Sequence, residues 1–430
     1  MYSEPETTDE TIDLGVGPVS LSEGRAGLRV ALRSHDLRFL AAGLAVSQLG
    51  DSFLLVALLI IARSLTTNPL AISLLAVSIG LPTVLFGLFA GVLIDRFDRR
   101  KVMIVSDIIR GVAVLFLLLV QDASDLPIMM IVGFIMGTAG VLFLPARNAL
   151  LPRIVAAEGL VAANMLIEAT QIAALVIGPA LGGLFVTVLG PQAAILFDSA
   201  SFFVSALCIF LLRTRHVRMH TEKLTSRQLR DEMMEGLRYI RRNELLWRLM
   251  LAGAASMLGL GAVIILGTVQ IQDVYGIEAS GIGALLSVLG LGMVVGGAAV
   301  ATPWAHIYPA LFVGVSMVLL GSSLALFPFL GDFRLALVAI LITGASLISL
   351  RSVVNALMQM NVPDDRRGRV ESANNVVMAA SYNASLIASG ALGIAIPPTF
   401  LFPLAGAFVL GAGVLAFQSI RRLPSPAVDY

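Results

Sequence analysis

The chain predicts an all-α membrane protein with twelve transmembrane helices arranged as two pseudo-symmetric six-helix bundles. Three observations carry that prediction. Hydrophobic residues make up 57% of the 430 residues and charged residues 13%, against about 25% charged in ordinary soluble domains. Such a chain cannot cover itself with polar surface in water, so lipid is its solvent. Apolar segments of roughly 20 residues, the length that crosses a bilayer, recur twelve times, and one basic polar stretch divides them six and six.

The elements follow in order. The chain starts acidic (Glu4, Glu6, Asp9, Glu10, Asp13) and lacks a basic-then-apolar signal. Its first two dozen residues are expected to be disordered, with the first span acting as its own insertion signal. Residues 25–38 place Arg25, Arg29, Arg33 and Arg38 among Leu and Val, which predicts a basic interfacial helix; residues 1–38 are thus a cytoplasmic tail. The first bundle occupies 39–212, with spans near 39–63, 70–93, 102–121, 127–146, 162–189 and 191–212. Residues 213–248 read as a cytoplasmic linker in which Leu229, Met233, Leu237 and Ile240 recur with helical period, so an amphipathic helix is expected on the membrane face. The second bundle occupies 249–418, with spans near 249–272, 279–301, 307–328, 335–356, 372–396 and 399–418, and residues 419–430 form a cytoplasmic tail.

Positive charge sets the orientation. With both termini cytoplasmic, the outer loops hold only Arg63 and Arg334, Arg110 lies in a span, and the other Arg and Lys are cytoplasmic; the reverse topology breaks the positive-inside bias. The strong preference for Arg over Lys is compositional evidence for a GC-rich bacterial genome, so a bacterial inner membrane is the expected location. The halves also resemble each other. An offset of 211 residues aligns Ala162-Ala163-Asn164 with Ala373-Asn374-Asn375, Ala180-Leu181-Gly182 with Ala391-Leu392-Gly393, and Pro152 with Pro363. Duplicated halves place a binding site at their interface, near the bilayer midplane.

Charge inside spans is costly and marks candidate function. Asp51 lies twelve residues beyond Phe39, about 18 Å deep at 1.5 Å per residue. Ser47, Gln48 and Ser52 are read as sharing its face, a stripe aimed at a central cavity. A carboxyl between apolar walls is a candidate for taking up and releasing a proton; a neutral, hydrogen-bonded structural aspartate is the alternative. Asn164, Glu168 and Gln171 mark one face of span five. Glu168, about 10 Å from the inner surface, is a candidate for proton or cation binding or for a structural salt bridge. Asp107 and Arg110 are three residues apart in span three, the spacing of a helical ion pair, and Asp198 shares a stripe with Ser201 and Ser205, as a structural group or one of an outer vestibule. Span eleven offers only neutral polar groups, Asn375, Tyr382, Ser385 and Ser389. Proton chemistry is therefore expected in the first half, with Asp51, Glu168, Gln48 and Gln171 at the coupling site and Tyr382 facing them from the second.

Several motifs carry a family resemblance. Gly91-x-Leu93-x-Asp95-Arg96-x-x-Arg99-Arg100 resembles the loop 2–3 signature of the major facilitator superfamily, which usually has glycine where Asp98 stands here. The equivalent stretch of the second half, Gly297–His306, has lost the charges. Gly178-Pro179-Ala180-Leu181-Gly182-Gly183 resembles the closing part of the drug–proton antiporter signature, with Ala174 where a glycine is expected. Asn148–Asn164 and Pro363–Val370 are similar to the branch containing macrolide efflux proteins and the enterobactin exporter. The resemblance runs from about residue 36 to near the end. It implies the major facilitator fold and a conformational gate at Gly91, Asp95, Arg96, Arg99 and Arg100, with Asp95 accepting from a helix N-terminus and the arginines pairing with carboxylates across the half interface. It also implies a helix bend at Gly178, Pro179, Gly182 and Gly183.

Other chemistries find no support. Lys101 and Lys223 are the only lysines and neither follows a phosphate loop. The four histidines fall in loops or at membrane edges, and the single cysteine, Cys208, excludes intrachain disulfides. No catalytic constellation, metal site, cofactor or nucleic-acid-reading domain is expected. The expected function is secondary active export of a hydrophobic or amphiphilic small molecule, such as a drug or siderophore, by a monomer driven by the proton gradient; an uptake carrier, a facilitator or a lipid flippase without proton coupling is the alternative.

Overall fold

The computed structural model describes residues 34–95, 97–156, 159–213, 226–277 and 279–420. The first bundle comprises α1 (His35–Leu65), α2 (Pro69–Asp95), α3 (Arg99–Leu115, extended by a 3-10 turn), α4 (Leu126–Ile154), α5 (Leu160–Leu189) and α6 (Pro191–Phe210). The linker helix is α7 (Ser226–Arg242). The second bundle comprises α8 (Glu244–Asp273), α9 (Ala279–Val300), the short α10 (Pro303–Ile307), α11 (Pro309–Leu326), α12 (Phe333–Met360), α13 (Asp364–Leu392) and α14 (Pro398–Ile420). Local chemistry sets the helix starts. Ser34, Asn243 and Asp332 accept hydrogen bonds from the first-turn amides of α1, α8 and α12, which satisfies backbone donors the helix leaves free. Pro191, Pro309 and Pro398 open α6, α11 and α14, where their missing N–H is no loss. Between α5 and α6 the chain reverses at Gly190 with φ +83°, a conformation that suits a residue without Cβ.

Among the described residues, eleven helices are long and apolar enough to cross a membrane. The twelfth, α13, is equally long but polar, and it departs from the expected span 372–396. It starts at Asp364, so Pro363–Val370 is mostly helix rather than loop. Its charged first turns dock on α7: Arg369 pairs with Glu235 at 2.9 Å, and the Arg366 guanidinium sits 5.1 Å from the Tyr239 ring centre. Two boundaries also move. The first span begins at His35, taking in the end of the expected interfacial helix, and α8 begins at Glu244 inside the expected linker. The rest of residues 1–38, residues 214–225 of the linker and the tail from 421 lie outside the described residues.

The repeat in the sequence is a repeat in packing. In the first bundle α1 packs on α5 and α6, α2 on α4, and α3 on α4 and α6; in the second α8 packs on α13 and α14, α9 on α12, and α11 on α12 and α14. The halves meet through α5 against α9 and α2 against α13, the pair that the same correspondence exchanges. Both seams use small residues, which let backbones approach. A Cβ on Gly183 would lie 2.7 Å from the Ala279 carbonyl, one on Gly290 would lie 2.8 Å from that of Leu175, and one on Gly390 would meet Ser73. Ser287 Oγ accepts from Ala180 N at 2.7 Å.

These contacts run from the middle of the seam helices, at Gly290 and Leu175, to the end of the molecule opposite the basic loop after α2. On the side toward that loop the seam residues continue as Glu168 and Asn164 of α5 and Val294 of α9, all exposed, and nothing approaches within 4 Å of where a Gly297 Cβ would sit. The halves are therefore closed at the far end and apart at the basic end. Arg63 at the end of α1 and Asp273 at the end of α8 form an ion pair across the closed end, at 2.5 and 2.6 Å.

Candidate functional site: a buried charge cluster in the first bundle

Asp107 and Arg110 are one helical turn apart on α3, and they form an ion pair. Asp107 is fully buried and Arg110 is 9% exposed. The guanidinium lies between two aromatic rings, with centroids 4.7 Å away at Phe143 of α4 and 4.4 Å away at Phe202 of α6. Such a sandwich stabilises a cation through the ring quadrupoles but supplies no countercharge. Arg110 Nε and Asp107 Oδ2 make no hydrogen bond, and the buried Ser205 hydroxyl stands beside the Asp107 carboxylate.

Two further carboxylates face this pair. Asp198 on α6 has no exposed surface, and neither of its side-chain oxygens has a hydrogen-bond partner. Its neighbour Ser201 donates instead to the Asp198 backbone carbonyl at 2.7 Å. Asp198 points at the α1 backbone: a Cβ on Gly50 would lie 2.6 Å from its Oδ1 and would also meet Ser201 Oγ. Asp51, the next residue along α1, is half-buried and lies within electrostatic reach of both Arg110 and Asp198. Three carboxylates from three helices thus share one guanidinium in a site walled by aliphatic and aromatic groups.

The structure divides the other expected coupling residues. The predicted stripe on α1 is two faces: Asp51 turns into the bundle, while Ser52 donates to the Gln48 carbonyl at 2.9 Å and packs on α5, where a Gly178 Cβ would meet it. A 100° step separates Asp51 from Ser52, whereas half-buried Gln48, three residues before Asp51, lies between the two faces. Glu168 is exposed on the separated face of α5, within electrostatic reach of Arg147 of α4; Gln171 and Tyr382 are half-buried. Asp198 is no vestibule residue. Its burial against Gly50 was not readable from the stripe it shares with Ser201 and Ser205, which identifies a face but not what that face meets.

Of the gate motif, Arg100 departs from the pairing that the resemblance implies, and Asp98 beside it has a structural role. Asp98, the departure from the usual glycine, caps α3 by accepting from Arg100 N and Lys101 N. Arg100 stays within its own half. Its Nε donates to the Ile209 carbonyl at 3.0 Å, a second nitrogen donates to Phe210 O, and its guanidinium stands 5.6 Å from the Phe210 ring centre. It thus occupies carbonyls at the negative end of α6 rather than a carboxylate across the interface. Arg99 is half-buried beside it, Gly91 and Asp95 lie in the last turns of α2, and Arg96 lies outside the described residues, as do the side-chain surroundings of Asp95. Gly178, Pro179, Gly182 and Gly183 fall within one continuous helix and form its contact surface: Gly182 packs 3.0 Å from the Phe53 Cα, measured from an added Cβ, and Gly183 meets α9.

Comparison with known proteins places this geometry. The Major Facilitator Superfamily profile matches residues 40–385. Macrolide efflux protein A of Streptococcus pyogenes is 26% identical over 388 residues, covering 89% of this chain and 96% of that protein. The multidrug efflux pump Tap of Mycolicibacterium fortuitum is 25% identical over 365 residues, covering 82% and 88%. Among solved structures, a bacterial homologue of the iron transporter ferroportin in its inward-facing state superposes with a TM-score of 0.69 at 18% identity, covering 91% of this chain and 98% of that one.

Proposed function

The chain belongs to the Major Facilitator Superfamily, and from that premise we propose that it exports a hydrophobic or amphiphilic small molecule in exchange for protons. The observation that carries the coupling is the deficit in the buried cluster: Asp51, Asp107 and Asp198 share the single cation Arg110. An uncompensated charge in such surroundings costs several kcal/mol, and a proton is the smallest cation that can fill the gap. Substrate in the cleft between the halves and a proton in the cluster would favour opposite facings, which is the thermodynamic requirement of exchange. The efflux activities named for the relatives support the outward direction and a macrolide-like, amphiphilic substrate class.

The basic end is assigned to the cytoplasm of a bacterial inner membrane, with both termini there, because the loops at that end carry nearly all the Arg and Lys. The structure is then an inward-open state, latched outside by Arg63 and Asp273. The working unit is a monomer, since each chain contains both halves of the cleft.

The test is uptake of a radiolabelled macrolide into inverted vesicles under an inside-acid gradient. Wild-type protein accumulates the drug and the gradient-collapsing control abolishes accumulation, while Asp51→Asn and Asp198→Asn each lower it at least tenfold (about 1.4 kcal/mol in coupling). Undiminished gradient-driven uptake in both variants overturns the assignment.

A further inference from the structure

The outer surface of the first bundle carries a long groove between α3 and α4, apart from the seams at which the halves meet. Two cavities of about 480 Å³ each run between α3 and α4, and both are lined by Ile109 and Ile135, so they form one channel open to the membrane. It runs from Lys101 at the basic end to Phe116 near the far end of α3, roughly 22 Å at 1.5 Å per residue. That is longer than one leaflet of a hydrocarbon core about 30 Å thick. Its walls are apolar apart from Ser106 and Thr138 midway and Asp98 and Lys101 at the mouth.

The mouth decides what fits. The Asp98 carboxylate is occupied in capping α3. Lys101 is exposed, and its ammonium makes no hydrogen bond or ion pair among the described residues. A free cation above an apolar slot of this length matches one molecule: a phospholipid with an anionic headgroup, its phosphate on Lys101 and one acyl chain along Val105, Ile109 and Phe116. We infer that the α3–α4 groove is a binding site for an anionic phospholipid of the basic-face leaflet. That leaflet is the cytoplasmic one in the orientation proposed above, the side where juxtamembrane Lys and Arg meet anionic lipid. The lipid would lie directly beside the capped start of α3, at Asp98, Arg99 and Arg100. Membrane composition would thereby reach the α2–α3 turn without entering the substrate cleft.

Native mass spectrometry of the full chain in detergent, titrated with phosphatidylglycerol or phosphatidylcholine, tests this without any transport step. The wild-type protein should keep one phosphatidylglycerol in preference to phosphatidylcholine. Lys101→Gln should weaken phosphatidylglycerol retention about fivefold, the effect of one basic residue near an anionic surface, and Lys101→Arg should preserve it. Val105→Trp with Ile109→Trp, at lipid-facing positions that do not support the fold, should abolish retention of both lipids. Equal retention of the two lipids, retention unchanged in the double Trp variant, or displacement of the lipid by macrolide would each overturn the inference, the last by assigning the groove to substrate. Because retention is read on isolated protein, its failure leaves proton coupling untouched, and failure of coupling leaves it standing.

Discussion

The two bundles set corresponding helices against one another with opposite chemistry. In the first, α1, α3 and α6 meet around Asp51, Asp107, Arg110 and Asp198. In the second, α8, α11 and α14 meet through glycine against apolar side chains. Added Cβ atoms would lie 2.8 Å from Leu324 at Gly259, 2.6 Å from Leu410 at Gly321 and 2.5 Å from Met317 at Gly413. The polar groups nearby are neutral and paired, as with Ser323 and Thr343 at 2.8 Å. One backbone frame therefore holds together with or without charge at this junction. The cluster is not what keeps three helices packed, and a buried ionic group is in general weak evidence for stability. Its presence in one half only argues for a task rather than for packing.

That contrast can be broken most severely at Asp107. Asp107→Ala removes the one carboxylate in direct contact with Arg110, leaving Asp51 and Asp198 only within electrostatic reach, and breaking such a buried pair costs about 3–5 kcal/mol. Thermal unfolding in detergent should show it as a large drop in midpoint, and a midpoint within a degree of wild type would mean that Arg110 finds another partner at no cost. Asp198→Asn acts in the opposite sense: the fully buried carboxylate loses its charge, so stability should hold or rise while gradient-driven export falls. Stability and activity moving together in that variant would make the cluster structural after all.

A matched pair of glycine substitutions sharpens the same comparison. Gly50→Ala drives a methyl into Asp198 and Ser201, whereas Gly259→Ala meets the end of the Leu324 side chain, which can turn away. Overpacking of a rigid site costs about 1–3 kcal/mol, so Gly50→Ala should destabilise more and also impair coupling; equal effects of the two would remove the distinction between the junctions. The smallest effect is expected at the outer latch. Arg63 and Asp273 form an exposed pair, worth about 0–1 kcal/mol. Arg63→Gln should accordingly shift the population toward the outward-open state by no more than about fivefold, read from spin-label distances between the ends of α1 and α8. A complete switch to one state would show that the latch outweighs the glycine seams.

Much of this was legible in the sequence, for definite reasons. Hydropathy located the spans because the bilayer fixes their length. The 211-residue offset relates α5 to α13, but the seam glycines themselves do not coincide under it: Gly183, Gly290 and Gly390 fall opposite Ile394, Ile79 and Pro179. The start of α13 was missed because its first two turns are charged and sit at the level of α7 rather than in lipid, so apolarity carried no signal there. Asp51 stood out as a lone acid in an apolar span, but which way it faced did not. A helical stripe fixes angles about its own axis and leaves the neighbour unknown, so the stripes alone do not bring Asp198 of α6 to Asp51 of α1. Asp98 looked like a defect in a motif and proved to be the cap of α3. Arg63 had one usable signal, as one of only two basic residues in the outer loops, and the partner in the opposite half became visible only once the far end closed.

The central claim is that the buried cluster exchanges a proton against substrate, and it is tested most directly by proton release from the purified protein. Macrolide added to wild-type protein in weakly buffered detergent solution should acidify the medium, and the release should be lost when Asp51→Asn and Asp198→Asn are combined in a variant that still binds the drug. Binding by the wild-type protein with no proton release, or release undiminished in the double variant, would contradict it.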